Sequence, residues 1–238
     1  MSPRLSAQAL RDQWYSRGQA EDLIGPEANS SRDWKLFAES WNGLPIDAFM
    51  GGGETYRRRR HTVFNVHTDG QFEQLAPRPY VQSSEINNLE GDVQRYFEPI
   101  EPEVTGSALF AGLLSGLSAI LEELHGPDVW HHQCFQNRIV TSTEKTGDPT
   151  PWGPHCDGVD YVVTLLVARH NVQGGRTGLY DAGTKERLHA ETLLPGDLLI
   201  ADDTRTLHDA TPLTPVDPAE PGHRDVFIDV ITRGSEPR

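Results

Sequence analysis

His155 and Asp157, separated by a single residue, and His208 far downstream are side chains of the types that hold a transition metal. Side chains on an extended segment alternate faces, so His155 and Asp157 point one way and Cys156 the other. Two imidazoles and one carboxylate fill one face of an octahedron and leave three positions open, which suits non-haem Fe(II). An H-x-D pair alone is weak, and competitors must be weighed. His131 and His132 are adjacent and would face opposite sides of a strand, a poor arrangement for chelating one ion. A second H-x-D, His223-Arg224-Asp225, has no histidine after it.

Arg224 strengthens the first set. It stands just before the last strand-like run, where its side chain could enter the same mouth as the metal residues. A buried guanidinium needs a carboxylate, and its planar fork can grip one with two hydrogen bonds. A metal with open positions and an arginine at the back of the cavity meets the requirement for binding 2-oxoglutarate: the keto acid end chelates iron and the distal carboxylate meets Arg224.

The chain around these residues reads as strand and turn. Seventeen prolines and 22 glycines spread along 238 residues favour short strands over a helical bundle. Strand patterns cover Tyr56–His67, Phe135–Thr141, Tyr161–Ala168, Gly178–Asp181, Leu198–Ala201 and Val226–Thr232, with turns at Gly174-Gly175 and Leu194-Pro195-Gly196-Asp197. Two helices are expected, over residues 6–24 and from Ser107 to His125. In the second, apolar residues recur at three- and four-residue steps until Gly126-Pro127. Trp34, Phe37 and Trp41 are spaced as one helical face, and Gly51-Gly52-Gly53 reads as a flexible loop. Pro77–Pro102 is a long connection that could cover a pocket. The expected fold is mainly β with flanking helices, a double-stranded β-helix or cupin-like jelly roll. It forms one domain, with a helical N-terminal part over 1–127 and the metal-binding core over 128–238.

Thirty-five acidic against 21 basic residues give a formal charge of −14, which argues against nucleic acid as a partner. The local exception is Arg57-Arg58-Arg59-Arg60. On a strand at most two of these line any one cavity; the plain reading is a solvated or salt-bridged edge strand, with a nucleic-acid or nuclear-targeting patch, or one arginine gripping a carboxylate, as the alternatives. Two cysteines, Cys134 and Cys156, build no disulfide framework, the start lacks a secretory signal, and Tyr161–Ala168 is too short to cross a bilayer. A cytoplasmic protein without membrane contact is expected.

His155-x-Asp157, His208 and Arg224, with Leu194-Pro195-Gly196-Asp197 before the second histidine, resemble the Fe(II)/2-oxoglutarate-dependent dioxygenases. More narrowly, residues 133–233 resemble the bacterial branch that hydroxylates free L-amino acids, typified by isoleucine 4-hydroxylase. Gln136-Asn137-Arg138-Ile139, Asp202-Asp203-Thr204-Arg205 and His208-Asp209-Ala210-Thr211-Pro212 carry that likeness, Tyr56–Val66 and Tyr80–Pro99 share it, and the stretch before Gly51 adds little. The resemblance implies iron on His155, Asp157 and His208, with 2-oxoglutarate on Arg224 and O2 as oxidant. It implies decarboxylation to succinate and CO2, coupled to hydroxylation of an unactivated C–H bond. Related halogenases lack the carboxylate ligand, so Asp157 favours hydroxylation.

A free amino acid needs a cation for its carboxylate, and Arg138 is the candidate, with Gln136 as a second substrate contact. The side chain leans towards citrulline, at C4, because no aromatic-lined segment stands near the motif. An aliphatic amino acid, or a peptide- or carrier-bound substrate, is the alternative with the same chemistry. A cupin-like metal- or ligand-binding module without turnover is the alternative of another class.

Overall fold

Alternation of side chains along a few long strands sets the layering of the molecule. The computed structural model describes residues 4–26, 31–82 and 91–236. The chain opens with α1 (Ala7–Gln13), β1 (Tyr15–Gln19), α2 (Glu21–Ile24), α3 (Arg32–Glu39), β2 (Arg57–Val66) and β3 (Phe72–Gln74). Next come α4 (Pro102–Thr105), α5 (Ala108–His125), β4 (Trp130–Thr141), β5 (Tyr161–His170), β6 (Val172–Gly174) and β7 (Thr177–Asp181). It closes with β8 (Arg187–Glu191), β9 (Asp197–Asp202), β10 (Thr206–Ala210), β11 (Leu213–Pro215) and β12 (Gly222–Arg233).

A seven-stranded sheet runs in the order β1-β9-β5-β12-β4-β2-β3, with a three-stranded sheet β10-β7-β8 and a pair β11-β6, all antiparallel. This is the expected mainly β, double-stranded β-helix architecture. One face of the large sheet carries Phe64, Trp130, Cys134, Val163, Leu165, Leu198, Ile200, Phe227 and Ile231 into a core shared with Leu113, Leu114, Leu117 and Leu121 of α5. The Ser107 hydroxyl caps α5, accepting a hydrogen bond from the Phe110 N–H at 3.2 Å, and Gly126 ends it at φ 80°. Burying each Leu or Phe side chain of that stripe contributes roughly 1.5–3 kcal/mol. The other face of the sheet lines a cavity closed on its far side by β7 and β10.

The N-terminal half departs from expectation. Helix α1 stops where Trp14 takes φ 68°, and Tyr15–Gln19 then pairs with β9 as an edge strand, so residues 6–24 are helix, strand and short helix. β2 and β3 join the same large sheet, which therefore runs across the expected boundary at residue 127. Nor is β2 a solvated edge. It pairs with β4 on one side, and its other side meets the backbone of Pro45, Asp47 and Glu98. Trp34, Phe37 and Trp41 are buried together on α3 and the turn after it, as their spacing requires. Gly51–Gly53 is a tight turn with positive φ at Gly52 and Gly53. The long connection Pro77–Pro102 falls partly outside the described residues; on either side of that gap, Tyr80 and Arg95 form an antiparallel bridge.

Candidate metal centre

The segment before β5 is shaped by two glycines with positive φ, Gly153 at 77° and Gly158 at 78°, a region that L-residues other than glycine enter at a cost. Between them His155 makes a single bridge to His208 of β10, with N–H to O distances of 3.1 and 2.8 Å, and so the two imidazoles stand side by side. The loop is held from below by Asp203, whose Oδ2 accepts the backbone N–H groups of Asp157 (2.9 Å), Gly158 (2.8 Å) and Val159 (3.1 Å). Three converging N–H donors are a fixed partial positive charge aimed at one carboxylate oxygen.

His155, Asp157 and His208 each present a donor atom, all within 4.8 Å of one another. Nε2 of His208 lies 3.5 Å from Asp157 Oδ2, and Nε2 of His155 lies 3.9 Å from Oδ1. Nδ1 of His155 donates to the Gly153 carbonyl at 3.0 Å, which leaves the Nε2 lone pair for the centre of the cluster. Nδ1 of His208 faces Asp203 Oδ1 at 3.6 Å, and both atoms are buried without a hydrogen-bond partner among the described residues. A cation on Nε2 would fix the proton on Nδ1, directed at that carboxylate, the usual support for a metal-bound imidazole.

The electrostatics agree with a cation site. Burial raises the Asp157 carboxyl, but the hydrogen bond and charge of His208, with His155 and Arg59, overcome it and hold the group well below the carboxylate range. Burial lowers His208, and Asp157 and Asp203 reverse this and raise it. Burial, the charge of Asp157 and weaker opposing contacts leave Asp203 at about 6. Asp157 Oδ1 also accepts from Gln82 Nε2 at 3.0 Å, and Gln82 Oε1 accepts from Arg95, whose guanidinium lies 4.7 Å above the Tyr80 ring.

Arg224 stands in the same cavity, 3% exposed, with Nη2 donating to Thr177 at 3.3 Å and Nε without a partner among the described residues. Burial and the neighbouring Arg169 lower it to about 10. Arg169 Nη1 is likewise buried and unpartnered, while its Nη2 donates to the Gly174 carbonyl at 2.7 Å. Two adjacent guanidiniums face no carboxylate among the described residues. Such a pole fits a ligand carboxylate. The donor set and this pole together fit Fe(II) with a dicarboxylate chelate.

Arg138 and Gln136 do not line the cavity. Strand alternation puts Phe135, Asn137 and Ile139 of β4 on the cavity side and Gln136 and Arg138 on the helix side. Arg138 grips Asp225 with two bonds of 2.7 Å and reaches Asn42, while Gln136 donates to Ser40. The substrate contacts expected of them are therefore out of reach. His131 and His132 do turn apart, His131 to Asn65 and Arg78, His132 to Asp229 and Ser118. Of the four arginines on β2, Arg57 and Arg59 enter the cavity, whereas Arg60 turns away to Glu101 and the Gly43 carbonyl. Tyr80, Phe135 and Trp152 also line it, so the expected lack of aromatic walls is not met.

A family model described as 2OG-Fe dioxygenase matches residues 38–229. The crystal structure of a bsmA homolog from Methylobium petroleophilum PM1 is 30% identical, with TM-score 0.84 over 98% of this chain and 94% of that one. That of IDO from Bacillus thuringiensis is 15% identical, with TM-score 0.81 over 97% and 98%. The Fe(II)/(alpha)ketoglutarate-dependent dioxygenase TqaL is 18% identical, with TM-score 0.74 over 97% and 86%. No curated protein matches the sequence.

Proposed function

Because the chain belongs to the 2OG-Fe dioxygenase family, and is thus a non-haem iron oxygenase using Fe(II), 2-oxoglutarate and O2, we propose that it hydroxylates a free L-amino acid. The observation that carries the site assignment is the convergence of His155, Asp157 and His208 in one cavity with Arg224. When bound, iron supplies the O2 activation that couples two conversions: 2-oxoglutarate to succinate and CO2, and a substrate C–H bond to C–OH, each product taking one oxygen atom.

The chain's own residues then have separate tasks. His155 and His208 offer Nε2 and Asp157 a carboxylate oxygen, and Asp203 and the Gly153 carbonyl hold the two rings in those tautomers. Arg224 and Thr177 orient the distal carboxylate of 2-oxoglutarate. Val162, Leu199, Ile228 and Val230 make the wall apolar, which keeps water from the reacting atoms.

A small, free substrate is supported by the resemblance to the amino acid hydroxylases and by a cavity closed between two sheets. A citrulline-like polar side chain is favoured only by a wall without aromatic rings; with Tyr80, Phe135 and Trp152 in the wall, aliphatic side chains fit as well. The test is anaerobic loading with Fe(II) and 2-oxoglutarate, then oxygen and a panel of free L-amino acids. Succinate and a product heavier by one oxygen atom are expected together, and both are lost in Asp157→Ala and Arg224→Ala. Loaded enzyme without amino-acid-stimulated succinate would refute the free-substrate reading.

A further inference from the structure

Besides Arg224, Arg59 is a cavity cation whose Nη1–Nη2 edge meets no hydrogen-bond partner among the described residues. Its side chain is 12% exposed, and Nε donates to Asn137 Oδ1 at 2.6 Å. The guanidinium lies 5.1 Å from the centre of the Phe135 ring and 5.4 Å from that of Phe97, so two aromatic rings and one amide fix its plane. Neither Nη1 nor Nη2 hydrogen-bonds to a described residue. The nearest carboxylate among the described residues, Asp47, is 3.9 Å from Nε and already accepts Arg57 at 2.6 Å and the Phe49 N–H at 2.9 Å.

Position separates this arginine from the cosubstrate pole. Arg59 pairs with Asn137 and Asn137 with Val226, while Arg224 pairs with Ile139 and Ile139 with Arg57. Arg59 and Arg224 are thus two strands and one side-chain row apart, about 12 Å between Cα positions at ordinary strand spacings. One short dicarboxylate has no need of both. Arg59 nevertheless lines the same cavity as His155, Asp157 and His208. Burial, then the charge of Arg57, lowers Arg59 to about 9 against the opposing pull of Asp47.

We infer that the Nη1–Nη2 edge of Arg59 anchors the substrate's carboxylate, making the site specific for small molecules with a free carboxylate over amides, esters and internal peptide positions. This rests on the free-amino-acid reading and narrows it: one guanidinium holds the cosubstrate, and a second, on another strand, holds the substrate beside the metal.

The test compares each amino acid with its primary amide by anaerobic titration of the Fe(II)–2-oxoglutarate enzyme, followed by the charge-transfer absorption and by calorimetry. In the wild type the acid should bind roughly 10- to 100-fold more tightly than the amide, the range for a charge-assisted pair. Arg59→Gln should bring the acid down to the amide's affinity, and Arg59→Lys should recover part of the preference. Arg58→Gln, on the same strand but outside the cavity lining, should behave as wild type. Equal binding of acid and amide by the wild type overturns the inference without any variant. A preference surviving Arg59→Gln, with amino-acid-stimulated succinate intact, overturns it while leaving the hydroxylase reading in place. If no amino acid binds the loaded wild type, both fall.

Discussion

At the scale of single residues, Asp203 shows how a site can rest on a group that touches nothing reactive. One oxygen gathers three N–H donors of the Asp157 loop, and the other waits 3.6 Å from Nδ1 of His208. One carboxylate thus sets the position of two of the three candidate metal ligands. Asp203→Asn keeps the volume and removes the charge, so it should weaken Fe(II) binding by roughly 10- to 100-fold. Metal titration of the variant checks this, and unchanged affinity would remove Asp203 from the site. The sequence reveals His155, Asp157, His208 and Arg224 because their types and spacing are themselves the signal. Asp203 sits in an Asp-Asp-Thr-Arg run that carries a likeness without a role, since its function exists only after the chain folds back on residue 157. Arg138 misleads for a different reason. Period-two alternation says that Arg138 and Asn137 face opposite ways, but β4 is buried on both sides, so nothing local tells which side is the cavity.

At the scale of elements, legibility follows the strength of the periodic signal. The stripe of α5 is long and apolar, and it reads directly. β1 does not, because the residues it buries are Ser16 and Gly18 rather than branched or aromatic side chains. The turn from β6 to β7 is legible as a turn, from Gly174-Gly175, but its second duty is not. Gly175 has φ 62°, and a Cβ there would lie 2.7 Å from Leu213 Cδ2, 2.9 Å from Arg224 Cδ and 3.1 Å from Arg169 Nη1. The missing side chain leaves the space that Arg224 occupies. Gly175→Ala should therefore cost about 1–2 kcal/mol of stability from the left-handed backbone. By pushing the guanidinium aside it should also raise the Kd for 2-oxoglutarate roughly tenfold or more. Calorimetry of 2-oxoglutarate binding separates the two effects; lowered stability with wild-type affinity would show that the turn does not position Arg224.

Across the whole molecule, the burial that builds the cavity also makes the fold sensitive to acid. His61 lies stacked on Phe135 at 4.4 Å with Tyr80 and Phe97 around it, and burial, aided by Arg59, Arg78, His131 and Arg95, lowers it to about 3. His131 is buried between Asn65 Oδ1 and Arg78 Nη2, and burial with the Arg78 and His132 charges lowers it to about 4. His155, His125 and His223 are lowered in the same sense, each first by burial. An unfolded histidine takes up its proton near pH 6.5, and these folded ones take it up only at lower pH. The stability they contribute is complete above that pH and falls as pH drops towards the folded values, by at most about 1.4 kcal/mol per pH unit for each of the fully buried rings, His61 and His131. Asp203, raised to about 6, acts the other way, since the folded chain binds its proton before the unfolded chain does. It offsets about one histidine below pH 6 and leaves His61 and His131 together in excess. Free carboxylates titrate near pH 4, so the window from pH 6.5 to 5 reads the histidines less the Asp203 offset. The Tm of the metal-free protein should fall steadily through that window. His61→Phe, which keeps an aromatic ring against Phe135 and has no proton to exclude, should flatten the fall. An unchanged slope in His61→Phe would place the acid sensitivity elsewhere, and a Tm constant from pH 6.5 to 5 would mean that the buried rings take up protons as readily as free ones.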